Sequence, residues 1–223
     1  MASRKLWARS LRDKFRVFHT DVSGVAAIEF ALLVPILLIM TFGTIELSRA
    51  LMVHKRFQRA TAMVGDLVTR EKQLWPQSEA DASVTTAAAK ATLAGIMKSV
   101  AHAMSPYSVT PLSLRVYQVW ANLTDPRKTK IEWSYQFPTG ATVGCGSSKS
   151  VDSGVLVGNG RAIFVEATYT YTPILANLLP GILTQSTWSD TMVVTPRDVP
   201  SVMYLPGLNN NNTWDSPSLA ACQ

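Results

Sequence analysis

The run VAAIEFALLVPILLIMTFGTIEL, Val25 to Leu47, constrains this chain more than any other part of it. As a helix rising 1.5 Å per residue it spans roughly 34 Å, the thickness of a bilayer core. Between Glu29 and Glu46 there is no charged residue, and Thr41 and Thr44 supply the only hydroxyls. A soluble surface helix needs a polar face, which this run lacks, so the pattern predicts a membrane span. Pro35 removes one backbone donor, but helices within membranes accept proline where neighbours or local adjustment satisfy the freed carbonyl.

A basic segment precedes the span. Residues 1–24 hold Arg4, Lys5, Arg9, Arg12, Lys14 and Arg16 against Asp13 and Asp21, four of the six net positive charges of the 223-residue chain. Without that leader the remaining charge is too small for a nucleic-acid footprint. A secretory signal peptide is the rival explanation of a basic leader and an apolar run. Against it, the run exceeds a usual h-region, and the small residues Ala26-Ala27 precede the run where signal peptidase requires them to follow. A second basic cluster, Arg49, Lys55, Arg56, Arg59, Arg70 and Lys72, lies beyond the span, so charge alone leaves the orientation open. Together with His54, Lys55, Arg56 and Arg59 suit either a solvated face or contact with anionic headgroups, worth about 1 kcal/mol per charge near the surface.

Glu29 needs a reason, because a carboxylate within an apolar helix costs about 2.5 kcal/mol or more. If the chain is cut after Gly24, Val25 becomes the new N-terminus and Glu29 its fifth residue. A charged amine on a neighbouring subunit could then neutralise the carboxylate where unpaired charge is costly, which fixes the register between subunits. The alternative is a carboxylate that snorkels to the nearby headgroups.

Leader, Gly24, then V-A-A-I-E-F-A-L-L-V-P with Glu29 and Phe30, resembles the TadE-like pseudopilins, minor pilin-like components of the tight-adherence (Flp-type) pilus machinery. The resemblance covers mainly residues 23–60, with weaker echoes in Tyr169–Pro173 and Thr195–Arg197. It implies processing by an aspartyl prepilin peptidase after Gly24, with Gly24, Glu29 and Phe30 as recognition residues. It also implies partners among the other pilins and pseudopilins, and an inner-membrane location. The long C-terminal part departs from the much shorter major Flp pilins and lacks the length of the larger von Willebrand-bearing relatives.

Beyond the span, apolar residues at Leu51, Phe57, Ala60, Val64 and Val68 extend the helix as an amphipathic one to about Arg70. Trp75-Pro76 breaks it, and Ser78 with Asp81 reads as the cap of a second, Ala-rich helix from about Glu79 to Met104, whose stripe is Leu93, Ile96, Met97 and Val100. The period then becomes two. Leu112, Leu114 and Val116 form one apolar face; Ile131, Trp133, Tyr135 and Phe137 form another, alternating with Glu132, Ser134 and Gln136. Ile163 to Tyr171 makes a further strand, preceded by Gly158-Asn159-Gly160, which reads as a hairpin turn. A last strand lies near Trp188 to Thr195. Helices followed by strands imply an α+β head. The organisation is thus a leader (1–24), a span (25–47), a helical extension (48–72), a periplasmic α+β domain (78–195) and an irregular tail (196–223) containing the low-complexity Asn209–Asn212.

Cys145 and Cys222 are too few and too far apart for a CxxC site, whereas an even pair suits an oxidising compartment. A disulfide between them would add roughly 4.5 kcal/mol on the chain-entropy model; two free thiols are the alternative. Such a pair, with no later span, favours the C-terminal domain outside the cytoplasm.

Little else suggests chemistry. His19, His54 and His102 have no second ligand at metal spacing, and no HExxH, GxSxG or Walker loop is present. Ser147-Ser148-Lys149-Ser150 lacks the SxxK spacing. Glu166 and Asp190 sit on predicted strands where the two carboxylates could meet, but they read more readily as solvent-facing salt-bridge partners. No enzyme activity, cofactor, metal or nucleic acid is expected. The leading reading is a structural pilin-like subunit. Its rival is an uncut bitopic protein whose periplasmic domain binds a ligand through Trp120, Trp133 or Trp214.

Overall fold

The computed structural model describes residues 23–74, 86–138, 143–144, 146–177, 181 and 184–203. The leader before Ser23, the cap at Ser78, Cys145, Asn209–Asn212, Trp214 and Cys222 lie outside the described residues, as does Glu79, the expected start of the second helix. The chain divides into two compact units, Met1–Ser48 and Arg49–Gln223. The division falls inside the first helix, α1 (Ser23–Arg70), which runs through Pro35 without interruption.

In the first unit, every large apolar side chain from Val25 to Leu47 except Val34 is exposed, over all faces of the helix. Its hydroxyls do not add polarity. Thr44 Oγ1 donates to the Met40 carbonyl and Ser48 Oγ to the Thr44 carbonyl, each at 2.8 Å, so both are satisfied by the helix itself.

In the second unit, the rest of α1 buries Val53, Phe57, Ala60, Val64 and Val68, each at most 1% exposed. The spacing of four, three, four and four keeps these five on one face. Leu51, two residues before Val53, is 52% exposed, so Val53 and not Leu51 begins the stripe. Helix α2 (Thr86–Met104) buries Ala89, Leu93, Met97, Val100 and Met104, with Ile96 only half-buried.

Five strands follow: β1 (Leu112–Ala121), β2 (Lys128–Phe137), β3 (Ser148–Ser150), β4 (Arg161–Tyr171) and β5 (Ser186–Val194). They form one antiparallel sheet in the order β3-β2-β1-β4-β5. The architecture is α+β, as the segregation of helices and strands predicts. Leu112, Leu114, Val116, Trp133 and the inward residues of β4 join both helix stripes in one core. A second cluster on the opposite face holds Tyr117, Val119, Ile131, Val151, Leu156 and Phe164.

Two expectations fail, one through a break in local periodicity and one through the order of strands in the sheet. Ile131 does not share a face with Trp133, Tyr135 and Phe137. The β1–β2 register shifts between Gln118 and Val119, which pair with Trp133 and Ile131 respectively. Glu132 is the extra residue of this bulge, and it is buried rather than solvent-facing. The turn at Gly158-Asn159-Gly160 exists, closed by Gly160 N–H to the Val157 carbonyl at 2.9 Å, but joins no hairpin. Strand β4 pairs with β1 and β5, and β3 lies on the far edge of the sheet. Gly158 is required there because a Cβ would fall 2.5 Å from the Leu123 carbonyl oxygen in the β1–β2 loop.

The described tail, residues 196–203, has no helix or strand but is packed. Ser201 is 9% and Val202 0% exposed, and Met203 makes a parallel bridge with Gln73.

Candidate functional site

The residues expected to direct processing lie in the first turns of α1. Val25, Glu29 and Phe30 are exposed, Val25 to 52% and Phe30 to 65%. Val25 and Glu29 are one turn apart, which places them on the same face. Among the described residues nothing lies within 4 Å of a Cβ built on Gly24, so their packing does not demand glycine there.

The second unit carries two polar networks, one on each side of the sheet. On the helix side, Arg161 Nε reaches both carboxylate oxygens of Glu132 at 3.0 Å, and Gln118 Nε2 donates to Glu132 Oε2 at 2.7 Å. Gln118 also donates to Ser201 Oγ at 2.8 Å and accepts from the Val202 amide at 2.9 Å. Burial pushes the Glu132 carboxyl above the ordinary carboxylate range, against the pull of Arg161 and Gln118. Trp120 lies under the Arg161 guanidinium at 4.8 Å and donates to Asn159 Oδ1 at 2.7 Å; Trp133 donates to the Val202 carbonyl at 3.1 Å. These tryptophans, 7% and 0% exposed, are structural, and the expectation that they form a ligand-binding surface is wrong. Their indole N–H groups are used inside the fold, which leaves no edge or face for a partner.

On the other side, Glu166 is bound by Lys149 Nζ and by Tyr117 OH, the latter at 2.6 Å, with Arg115 at 3.5 Å. Burial opposes ionisation of Glu166, but Lys149, Tyr117 and Arg115 together hold its carboxyl below the ordinary range. The same burial and the neighbouring carboxylate push the Tyr117 hydroxyl up. Glu166 and Asp190 are not a pair: the cross-strand partner of Glu166 is Thr191, and that of Asp190 is Ala167. Sequence reasoning missed Lys149 as a partner, because β3 is three residues long and offers no periodic signal.

Of the three histidines, His54 stacks edge-on against Trp188 at 4.9 Å, His102 is exposed on α2, and His19 lies outside the described residues. Both echoes of the resemblance meet α1 within the second unit. The Tyr169 ring lies 6.0 Å from Phe57, and Arg197 pairs with Asp66 at 2.5 Å.

An 18-residue stretch of α1 with a mean hydropathy of 2.5, none of it buried, leads into an α+β domain and suggests a membrane anchor. Residues 24–66 match the family model described as TadE-like protein, so the chain carries a TadE-like segment. That stretch contains Gly24, Val25, Glu29 and Phe30 and ends at Asp66, the partner of Arg197. No curated protein and no solved structure matches the chain.

Proposed function

We propose that this protein is a pseudopilin of a tight-adherence pilus system, with a structural and not an enzymatic role. A prepilin peptidase cuts after Gly24, and Val25 becomes the mature N-terminus. The apolar helix first holds the subunit in the inner membrane and then packs among other pilins, with Glu29 neutralised by the terminal amine of a neighbour. The α+β domain faces the periplasm, where Cys145 and Cys222 are bonded.

The single observation that carries this reading is the TadE-like match, which begins at Gly24 and takes in the run Val25 to Leu47, whose apolar side chains are exposed. Lipid alone satisfies apolarity, but it accounts neither for an unhindered Gly24 nor for a carboxylate one turn beyond Val25.

The test is the mature N-terminus. Intact mass of the protein from its native membrane should correspond to a chain beginning at Val25; a chain still beginning at Met1 removes the processing step. Glu29→Leu should leave membrane insertion intact and reduce incorporation into the pilus. Normal incorporation of that variant excludes the pairing role.

A further inference from the structure

Strand β5 (Ser186–Val194) is an open edge of the sheet. It pairs with β4 without a bulge along its whole length, from Ser186 opposite Tyr171 to Val194 opposite Ile163. That pairing uses one side of its backbone, and among the described residues no group outside β4 bonds to the other side. The remaining N–H and C=O groups point away from the sheet, a row of donors and acceptors that another extended chain can complete. The two edges are not alike. At the opposite edge, β3 has three residues with Lys149 in the middle, and a short strand and a lysine both blunt an edge. Strand β5 has nine residues and contains neither proline nor a basic residue.

The one charge on β5 is Asp190. Strand alternation puts it on the same face as Trp188, Met192 and Val194, which pack against the helix-side core. Asp190 is half-buried there, and among the described residues no ion pair or hydrogen bond reaches its carboxylate. A charge pointing inward from an edge strand discourages pairing with an arbitrary apolar strand. It favours a strand that brings a cation to the facing position, because opposite charges on directly paired residues attract and like charges repel. An unpaired carboxylate between Trp188 and Met192 thus makes an open edge selective. The same charge argues against a second copy of this chain. Two β5 strands overlapped antiparallel over their full length, Ser186 against Val194, bring Asp190 opposite Asp190.

We propose that β5 is a docking edge for an extended segment of a partner protein, in which a Lys or Arg sits opposite Asp190 between apolar residues that continue the face of Trp188 and Met192. Backbone bonds supply the affinity, and the cation supplies the choice of partner. The assignment concerns the second unit alone and holds whether or not the chain enters a pilus.

The test uses the full chain in detergent and fluorescent peptides of the length of β5, alternating threonine and valine, with the central valine replaced by lysine or by glutamate. By fluorescence anisotropy the lysine peptide should bind about tenfold more tightly, a difference of about 1.4 kcal/mol. Asp190→Asn should remove the preference, and Asp190→Lys should reverse it. Two measurements need no substitution in the protein. Methylating alternate amide nitrogens of the lysine peptide should abolish binding in one phase and spare it in the other, because only every second amide faces β5. Hydrogen exchange with the lysine peptide bound should slow in β5 and not in β3. Failure of both peptides to bind, equal binding of the two, an unchanged preference in Asp190→Asn, survival of both methylated peptides, or protection that spares β5 overturns the proposal. Concentration-dependent dimerisation that protects β5 without any peptide assigns the edge to a second copy and overturns the separate partner.

Discussion

Arg161 and Glu132 form a two-point pair in the interior, with Nε 3.0 Å from each carboxylate oxygen and side-chain exposures of 12% and 2%. The pair joins β4 to the bulge of β2 across β1, and Gln118 extends it to Ser201 and Val202. Two charges out of water cost several kcal/mol to desolvate, so the arrangement holds only while both partners are present. Arg161→Leu should therefore destabilise the domain by about 3–5 kcal/mol at neutral pH. Thermal unfolding of the full chain in detergent checks this. The double variant Glu132→Leu with Arg161→Leu should recover much of the loss, because no buried charge is then left alone.

The two networks give opposite pH dependence. Glu166 has a lowered carboxyl pKa, so its stabilisation is present above the ordinary value of 4.5 and is lost as pH falls through the folded value below it. Glu132 has a raised one, so its contribution is full below 4.5 and is lost as pH rises through the folded value above it. The Tm advantage of the parent over Glu166→Gln should thus shrink on acidification. Relative to Glu132→Gln, the parent should lose ground as pH rises from acid towards neutral. Parallel curves for the two variants would contradict the assignment.

Gly158→Ala should cost about 1–3 kcal/mol, since its Cβ would meet a backbone carbonyl that cannot move without opening the β1–β2 loop. Gly95→Ala on α2 is the matched control, with nothing within 4 Å of the new Cβ. It should be stabilising by about 0.5–1 kcal/mol through helix propensity. Denaturant titration of the two variants side by side separates close approach from a general aversion to alanine.

Phe57→Ala should lose about 3–5 kcal/mol, because Phe57 is wholly buried between the helices and β4. Leu51→Ala should change domain stability by less than about 0.5 kcal/mol, given its exposure. Melting curves that ranked the two the other way would return the stripe to Leu51.

Local patterns read well where one face meets one core. The run from Val25 to Leu47, the stripe Phe57-Ala60-Val64-Val68 and the alternation of Leu112-Leu114-Val116 each announce their element, because burial repeats at the period of the backbone. The reading failed where the period is broken. Ile131 and Trp133 have the same parity, and only the inserted Glu132 sends them to opposite faces. The partners of Glu132, at positions 118 and 161, are too far along the chain to leave a local mark. Trp120 and Trp133 suggested a binding surface because sequence cannot tell an exposed indole from one whose N–H is bonded indoors.

The parallel bridge between Gln73 and Met203 has a mechanical consequence. Its bonds, Leu74 N–H to the Met203 carbonyl at 2.9 Å and Met203 N–H to the Lys72 carbonyl at 3.2 Å, join the chain just after α1 to the chain just after the sheet. When α1 and the segment beyond Met203 are pulled apart, parallel strands are loaded in shear, and both bonds resist together instead of peeling one after the other. The tension crosses at this clamp and bypasses the β-ladders between Leu112 and Val194, so the sheet is shielded from force transmitted along the anchor.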